Sequence, residues 1–429
     1  MRTNLVLALA VALVAPVACG SEPGDDGARA ASGGAGGESD LTSGTVTTDE
    51  PGASSGGGGA SGGGGGGTVG AQPPPSPERA LAAKLGLGPT FAIGLGNDAS
   101  GDDPNAAHAY GLGQKLDIHY MYLSGLGWRT WNSPEGAYVT AIANAAKSHG
   151  VVPMFTLYQA ADWGEANLGA FNDKTFMTSY WRGVRVLFEK LGAFGSPAIA
   201  HLEPDLWGYA QQIGGDDPAN VPMKVGSVVP ECAGMPETVA GFGKCMVKLA
   251  RALAPKTVVG LSASSFGAFD NAGKSDPARI AAYLTKVGGA EADLMVVETL
   301  DRDAGCFEKG ADAQCKRSGT FWWDEANVAH PNFHDHLAWA KAIRAGTGKP
   351  LLWWQMPLGV PSAAPGGTAG HYRDNRVRYL FGHPKEFADA GGIGAVFGTG
   401  ASNQTTVKTD NNQFKSAIAG YYQAPAPLR

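Results

Sequence analysis

From about Glu78 to Tyr422 the chain alternates between two hydrophobic patterns. Short, nearly continuous apolar runs recur at Phe91–Leu95, Leu116–Leu123, Val151–Tyr158, Ala198–Glu203, Val258–Ala263, Leu294–Thr299, Leu351–Met356 and Gly394–Gly398. Between them lie stretches of helical character: Gly136–Ser148, Thr175–Leu191, Glu237–Leu253, Pro277–Val287, Phe333–Ala345 and Asn375–Ala390. Strands that are apolar on both faces belong in a parallel sheet covered by helices. Eight such units in a row, over a domain of this size, predict an α/β fold closed into a (β/α)8 TIM barrel. An open nucleotide-binding sheet is the weaker alternative, because Gly94-Leu-Gly-Asn-Asp lacks the third glycine of a dinucleotide loop.

The first residues follow another pattern. A basic start at Arg2 precedes an apolar run from Leu5 to Val17, too short to span a bilayer comfortably and followed by small residues. This is the form of an export signal, expected to cover residues 1–18. Val17-Ala18-Cys19 also resembles the lipobox of bacterial lipoproteins, with Pro16 where that pattern usually has Leu. The resemblance implies lipidation of Cys19 and anchoring at the cell envelope. Residues 19–78 are dominated by Gly, Ser, Ala and acidic residues and end in consecutive prolines, so they predict a disordered tether with an average reach of about 40–45 Å. The folded domain is then expected over 79–429.

Composition narrows the function classes. A net charge of −6 with no basic run argues against nucleic acid, and no second apolar span is long enough to cross a membrane. Four cysteines remain in the domain as two close pairs. In an oxidising compartment the simplest bridges are Cys232–Cys245 and Cys306–Cys315, although two other pairings are formally open. Neither pair has the Cys-x-x-Cys spacing of a zinc site.

Function in such a barrel sits at the C-terminal ends of the strands. The fourth run ends His201-Leu-Glu-Pro-Asp, and strict alternation would put His201, Glu203 and Asp205 on one face, pointing into the mouth. The alternative for Glu203 is an ion pair with Arg182 or Arg185. Glu298 sits near the C-terminal end of the sixth run, with Asp301 and Asp303 just after it. Asp117 and His119 share a parity on the second. Of the ten tryptophans, Trp128, Trp131, Trp163, Trp207, Trp322, Trp323, Trp353 and Trp354 fall at strand ends or in the following loops, where indoles suit the C–H faces of sugars.

Glu203-Pro204 resembles the Asn-Glu-Pro segment that carries the acid/base glutamate on strand four of many glycoside hydrolase barrels, with Leu202 in place of Asn. Glu203-Pro204-Asp205 also resembles the Glu-Pro-Asp stretch of one inverting cellulase family. The first group has its nucleophile at the end of strand seven, where this chain reads Trp353-Trp354-Gln355; a glutamine cannot serve. The resemblance implies hydrolysis of an extracellular polysaccharide, a β-glucan such as cellulose, without a cofactor. Such chemistry needs a protonated carboxyl and an ionised one. Glu203 is the expected proton donor and Glu298 its partner, with Asp205 and Asp301 in reserve. His119, Trp128, Trp207, Asp324, Trp353, Trp354 and Gln355 are expected to contact sugar. Two rivals remain: a non-catalytic glycan binder, and a metal enzyme using Asp117, His119, Glu203 and Glu298.

Overall fold

A computed structural model describes residues 74–98, 105, 107–164, 166–311, 315–362 and 367–429. The export signal, Cys19 and nearly all of the glycine-rich segment lie outside the described residues. Eight strands pair in parallel in the order β1 to β8 and close on themselves. They are β1 (Ala92–Gly96), β2 (Ile118–Ser124), β3 (Val152–Tyr158), β4 (Ala198–Leu202), β5 (Thr257–Ser262), β6 (Leu294–Val297), β7 (Leu351–Met356) and β8 (Gly392–Phe397). The helices are α1 (Pro77–Leu85), α2 (His108–Gly111), α3 (Ala137–Ser148), α4 (Lys174–Phe194), α5 (Leu206–Gly214), α6 (Val239–Leu253), α7 (Pro277–Leu284), α8 (Ala304–Lys309), α9 (Phe333–Thr347), α10 (Arg376–Gly382), α11 (Pro384–Asp389) and α12 (Gln413–Tyr421). None of the described helices is long and apolar enough to cross a membrane.

Alternation along each strand splits the apolar residues into two cores. Ile118, Tyr120, Met154, Ile199, Val258, Val296, Leu352 and Trp354 fill the barrel interior. Met121, Leu123, Phe155, Ala200, Leu202, Leu261, Val297 and Trp353 pack outward against the helices. The helix α1 starts cleanly, because Ser76 accepts from the amide of Arg79 and Pro77 needs no amide partner at the first helical position. Its Leu81 and Leu85 join the interior core and close the barrel floor. In β1, a side chain at Gly96 would stand 2.0 Å from the carbonyl oxygen of Tyr120. Glycine there lets the two strands close around Tyr120.

Both nearest-neighbour cysteine pairs form, Cys232–Cys245 and Cys306–Cys315, across separations of 13 and 9 residues. The first ties a short turn at Pro230–Cys232 to α6, and the second ties α8 to the segment that follows it. Loop closure of 13 residues stabilises the fold by about 3 kcal/mol through the unfolded chain. Replacing both Cys232 and Cys245 by Ser should lower the unfolding free energy from urea melts by that amount, and the midpoint with it. An unchanged midpoint would show that this bridge adds nothing.

Candidate active site

The fourth strand does not run on as alternation predicts. Ile199 lies in the interior core, and His201 is buried against Trp354 in that same core, as expected. Glu203, however, has φ 46°, a left-handed conformation in which the strand cannot continue. Its side chain turns out of the barrel into the layer beneath α4. There Oε1 accepts from the Gln159 amide at 2.9 Å and the Tyr180 hydroxyl at 2.7 Å, and Oε2 accepts from the Ala160 amide at 3.2 Å. Burial raises its pKa to about 7, and the three donors pull it back only in part. The expected position of Glu203 in the mouth is therefore corrected. Three donors behind the wall hold this carboxyl, and full burial keeps it from solvent. No arginine is involved: Arg182 pairs with Glu135, and Arg185 with Glu231.

Other expected contacts are also placed elsewhere. His119 has the outward parity of Met121 and Leu123, and it bridges Asp98 at 2.7 Å and the Tyr110 hydroxyl at 2.9 Å. Trp128, Trp207 and Trp353 are buried in the outer core and donate to Gln159 Oε1, the Leu202 carbonyl and His336 Nε2. They are packing residues, because each indole finds its partner inside the wall. Asp324 turns back on its own loop, accepting from the amides of Ala326, Val328 and Ala329, which hold its pKa below the ordinary value. Asp117 precedes β2 at the opposite end of the barrel, where Ile93 and Tyr422 donate to it. The four residues of the metal alternative are thus dispersed, and no group of three or more His, Cys, Asp or Glu among the described residues is arranged to hold a metal.

The mouth is built from a different set. Glu298 follows β6, half-buried, and its pKa is held well above the usual carboxylate range. Burial is the largest cause, followed by the charges of Asp205 and Asp301; Arg302 and Arg317 act weakly against them. Asp301 is bound on both oxygens, by Arg302 and by Arg317, the latter at 2.5 Å. Gln355, the penultimate residue of β7, has φ 55°. Its amide donates to the Asp301 carbonyl at 3.2 Å, and its oxygen accepts from the Tyr122 hydroxyl. Tyr122 in turn packs on Trp354 and Tyr158, with ring centroids 5.5 and 6.0 Å apart. Below them His201 bridges Thr156 and Ser262, and burial lowers its pKa to about 3, so it is neutral.

Of the sequence-predicted residues, Glu298, Asp205, Asp301, Trp354 and Gln355 therefore share one region. Tyr122 and Tyr158 were missed there. The signal for Tyr122 was present in Tyr120-Met-Tyr122, two aromatics at strand spacing, and that for Tyr158 in its place at the end of the third apolar run. Trp131 and Trp163, in the loops after β2 and β3, remain about half exposed.

The rim is fixed by a second buried network. Asp303 accepts from the amides of Gly359 and Thr405 at 2.9 and 2.7 Å, so it joins the loops after β6, β7 and β8. Burial, then the charge of Asp374, raises its pKa to about 7. Asp374 is itself paired with the fully buried Arg376 at 2.9 Å.

No family model and no curated protein matches this chain. Solved structures of similar architecture include an endo-β-1,4-mannanase from Thermotoga petrophila, at 11% identity and a TM-score of 0.44, over 79% of this chain and 77% of that one. The catalytic domain of a family 26 endo-β-1,4-mannanase from Bacillus sp. JAMB-750 is similar at 12% identity and 0.44, over 81% and 90%. A glycoside hydrolase family 5 enzyme from Prevotella bryantii B14 is similar at 9% and 0.40, over 80% and 99%. At this distance the likeness is one of barrel architecture, and the site has to be argued from its own residues.

The placement of Glu203 makes a stability prediction. Its raised pKa means that the folded state takes up a proton more readily than the unfolded chain. Its contribution therefore falls as pH climbs from about 4.5 to about 7. In Glu203→Gln the amide group would face one of three donors, at a cost of about 1–3 kcal/mol. The loss relative to the unmodified protein should be larger at pH 5 than at pH 8 in urea melts. A loss independent of pH would contradict this account.

Proposed function

We propose that this protein is a glycoside hydrolase acting on an extracellular polysaccharide, with Glu298 as the proton donor and Asp205 as its ionised partner. The observation that carries the reading is the raised proton affinity of Glu298 in the barrel mouth, caused by burial and by the charges of Asp205 and Asp301. A carboxyl whose proton affinity is raised is suited to protonate a glycosidic oxygen, while a neighbouring ionised carboxylate acts on the anomeric carbon or on water. This assigns the donor role to Glu298 rather than Glu203. Asp301, held by two guanidinium groups, sets the local potential. Tyr122 and Tyr158, backed by the buried Trp354 and Gln355, supply the aromatic surface for a neutral sugar, as Trp131 and Trp163 do at the rim. A β-linked glucan is the first substrate to test, alongside β-mannan and xyloglucan.

The same reading takes residues 1–18 as an export signal and Cys19 as the lipidated anchor. Residues 19–78 then form a tether that lets the barrel reach polymer outside the envelope. A second reading, a surface glycan binder without turnover, is favoured by one observation: both positions where glycoside hydrolase barrels carry their glutamates are altered. Gln355 stands on β7, and Glu203 is turned into the wall.

Glu298→Gln separates the two. Release of reducing sugar from a responsive polysaccharide should fall about 10²–10⁴-fold, while affinity-gel retardation by the same polymer stays within twofold. Binding without hydrolysis by the unmodified protein would establish the second reading instead. The pH profile gives a further check. Asp301→Asn removes a charge that raises the pKa of Glu298 and frees Arg302 and Arg317, which lower it. The alkaline limb of the activity profile should therefore move to lower pH. A shift to higher pH would exclude Glu298 as the group titrating there.

A further inference from the structure

The segments after β1, β7 and β8 line a cavity of about 310 Å³ that the proposed chemistry does not use. Leu358 and Val407 give it an apolar side, and Asn97, Asp98, Thr399 and Thr406 a polar one. Its rim is joined across the β1–β8 seam, where the Asn97 amide donates to the Thr399 carbonyl at 3.0 Å. Asn97 is exposed, and Thr399, Thr406 and Val407 are half-buried, so the cavity is reached from outside. It also adjoins the candidate site. Leu358, Gly398 and Thr399 line both this cavity and a narrow crevice bounded by Asp301 and Arg302. One residue further on, a side-chain carbon at Gly400 would stand 2.1 Å from Gln355 Nε2. A ligand in the mouth therefore has this cavity beside it.

One carboxylate stands on the wall of the cavity, and it is held in place from behind. Asp98 Oδ1 accepts from His119 Nε2 at 2.7 Å, and Oδ2 from the Ala109 amide at 2.6 Å. The Tyr110 hydroxyl, 2.9 Å from His119 Nδ1, donates to it and leaves the imidazole proton on Nε2. His119 is fully buried, whereas Asp98 keeps 10% of its side chain exposed. His119 is thus a positioning residue. An ionised carboxylate can accept at about four places, of which these donors take two. The remaining acceptor capacity suits a ligand that brings hydroxyl groups. Among the described residues no lysine or arginine lines the cavity, so it does not suit an anion. The apolar side suits the C–H face of a sugar ring. Ligand cavities run to roughly 300–1,000 Å³, so a volume at the low end suits a single ring.

We propose that this cavity binds one neutral sugar ring of the polysaccharide, as a side branch or a chain end, with Asp98 accepting from its hydroxyls. The assignment rests on the glycan reading of the neighbouring mouth but not on turnover. It makes Asp98 a specificity-determining residue and gives the buried His119–Tyr110 pair behind it a reason to be polar.

The test is binding by isothermal titration calorimetry, using the full chain carrying Glu298→Gln so that ligand is not consumed. The probes are unbranched cello- and manno-oligosaccharides, branched xyloglucan and galactomannan oligosaccharides, and chitosan oligosaccharides. Adding Asp98→Asn should raise Kd for the neutral probes about tenfold to a hundredfold, because a hydrogen bond to a charged group is lost. Val407→Trp fills the cavity from its half-buried side and should raise Kd about tenfold by crowding the ring. Its thermal midpoint should match the parent's, which separates a blocked cavity from a damaged fold. Should Asp98→Asn fail to fold, Val407→Trp carries the test alone. Losses confined to the branched probes assign the cavity to a side branch, and losses on the unbranched ones as well assign it to a chain end. Affinities of both variants within twofold of a parent that binds would overturn the proposal and leave the glycan reading standing. No binding of any probe by the parent at millimolar concentration would overturn both. Chitosan bound more tightly than every neutral probe, with that preference lost in Asp98→Asn, would overturn the neutral assignment. Binding that depends on Asp98 and Val407 without hydrolysis by the unmodified protein would uphold the cavity and remove the hydrolase reading.

Discussion

A carboxylate taken out of water has to gather donors or keep its proton, and the upper half of this barrel is arranged around that requirement. Glu203 gathers two backbone amides and a phenol, at the price of a left-handed backbone that ends β4 and turns the side chain into the wall. Asp303 gathers two amides from the loops after β7 and β8, and Asp374 takes a buried guanidinium. These three fix the loops that form the rim. Glu298 sits among like charges, with the two arginines acting only weakly in its favour. Its proton affinity is raised as those of Glu203 and Asp303 are, and what sets it apart is its place at the mouth, where it is only half-buried.

The aromatic residues divide in the same way. Trp128, Trp207 and Trp353 are large apolar groups whose single polar atoms are satisfied inside the wall, so they hold helices to strands. Tyr122, Tyr158 and Trp354 have the opposite parity and line the interior near its open end. Gln355 links the two systems, bonded on one side to Tyr122 and on the other to the backbone of Asp301. The acid, its charged neighbours and the aromatic floor thus form one connected surface.

Much of this protein followed from local rules. The eight apolar runs, their order, the helices between them and the closed barrel were legible because burial on both faces leaves a continuous hydrophobic signature. The two disulfides followed from proximity along the chain. The placement of Glu298, Asp301 and Gln355 at one end of the barrel was legible because the C-terminal ends of the strands are known once the strands are.

What could not be read was the direction of each side chain where a strand stops. Alternation holds only while φ stays extended, and Glu203 and Gln355 both leave that region at strand ends. His119 and Trp353 were assigned to the mouth although a one-residue change of parity sends them to the helices. Whether a given acid is charged likewise depends on donors from distant segments, such as Tyr180 on α4 for Glu203 or Thr405 for Asp303. The amino-acid order thus determined the scaffold and the end at which chemistry would gather, since both depend on near neighbours. Tertiary structure alone decided which carboxyl lies in the mouth and which in the wall, because that choice depends on groups brought together from separate parts of the chain.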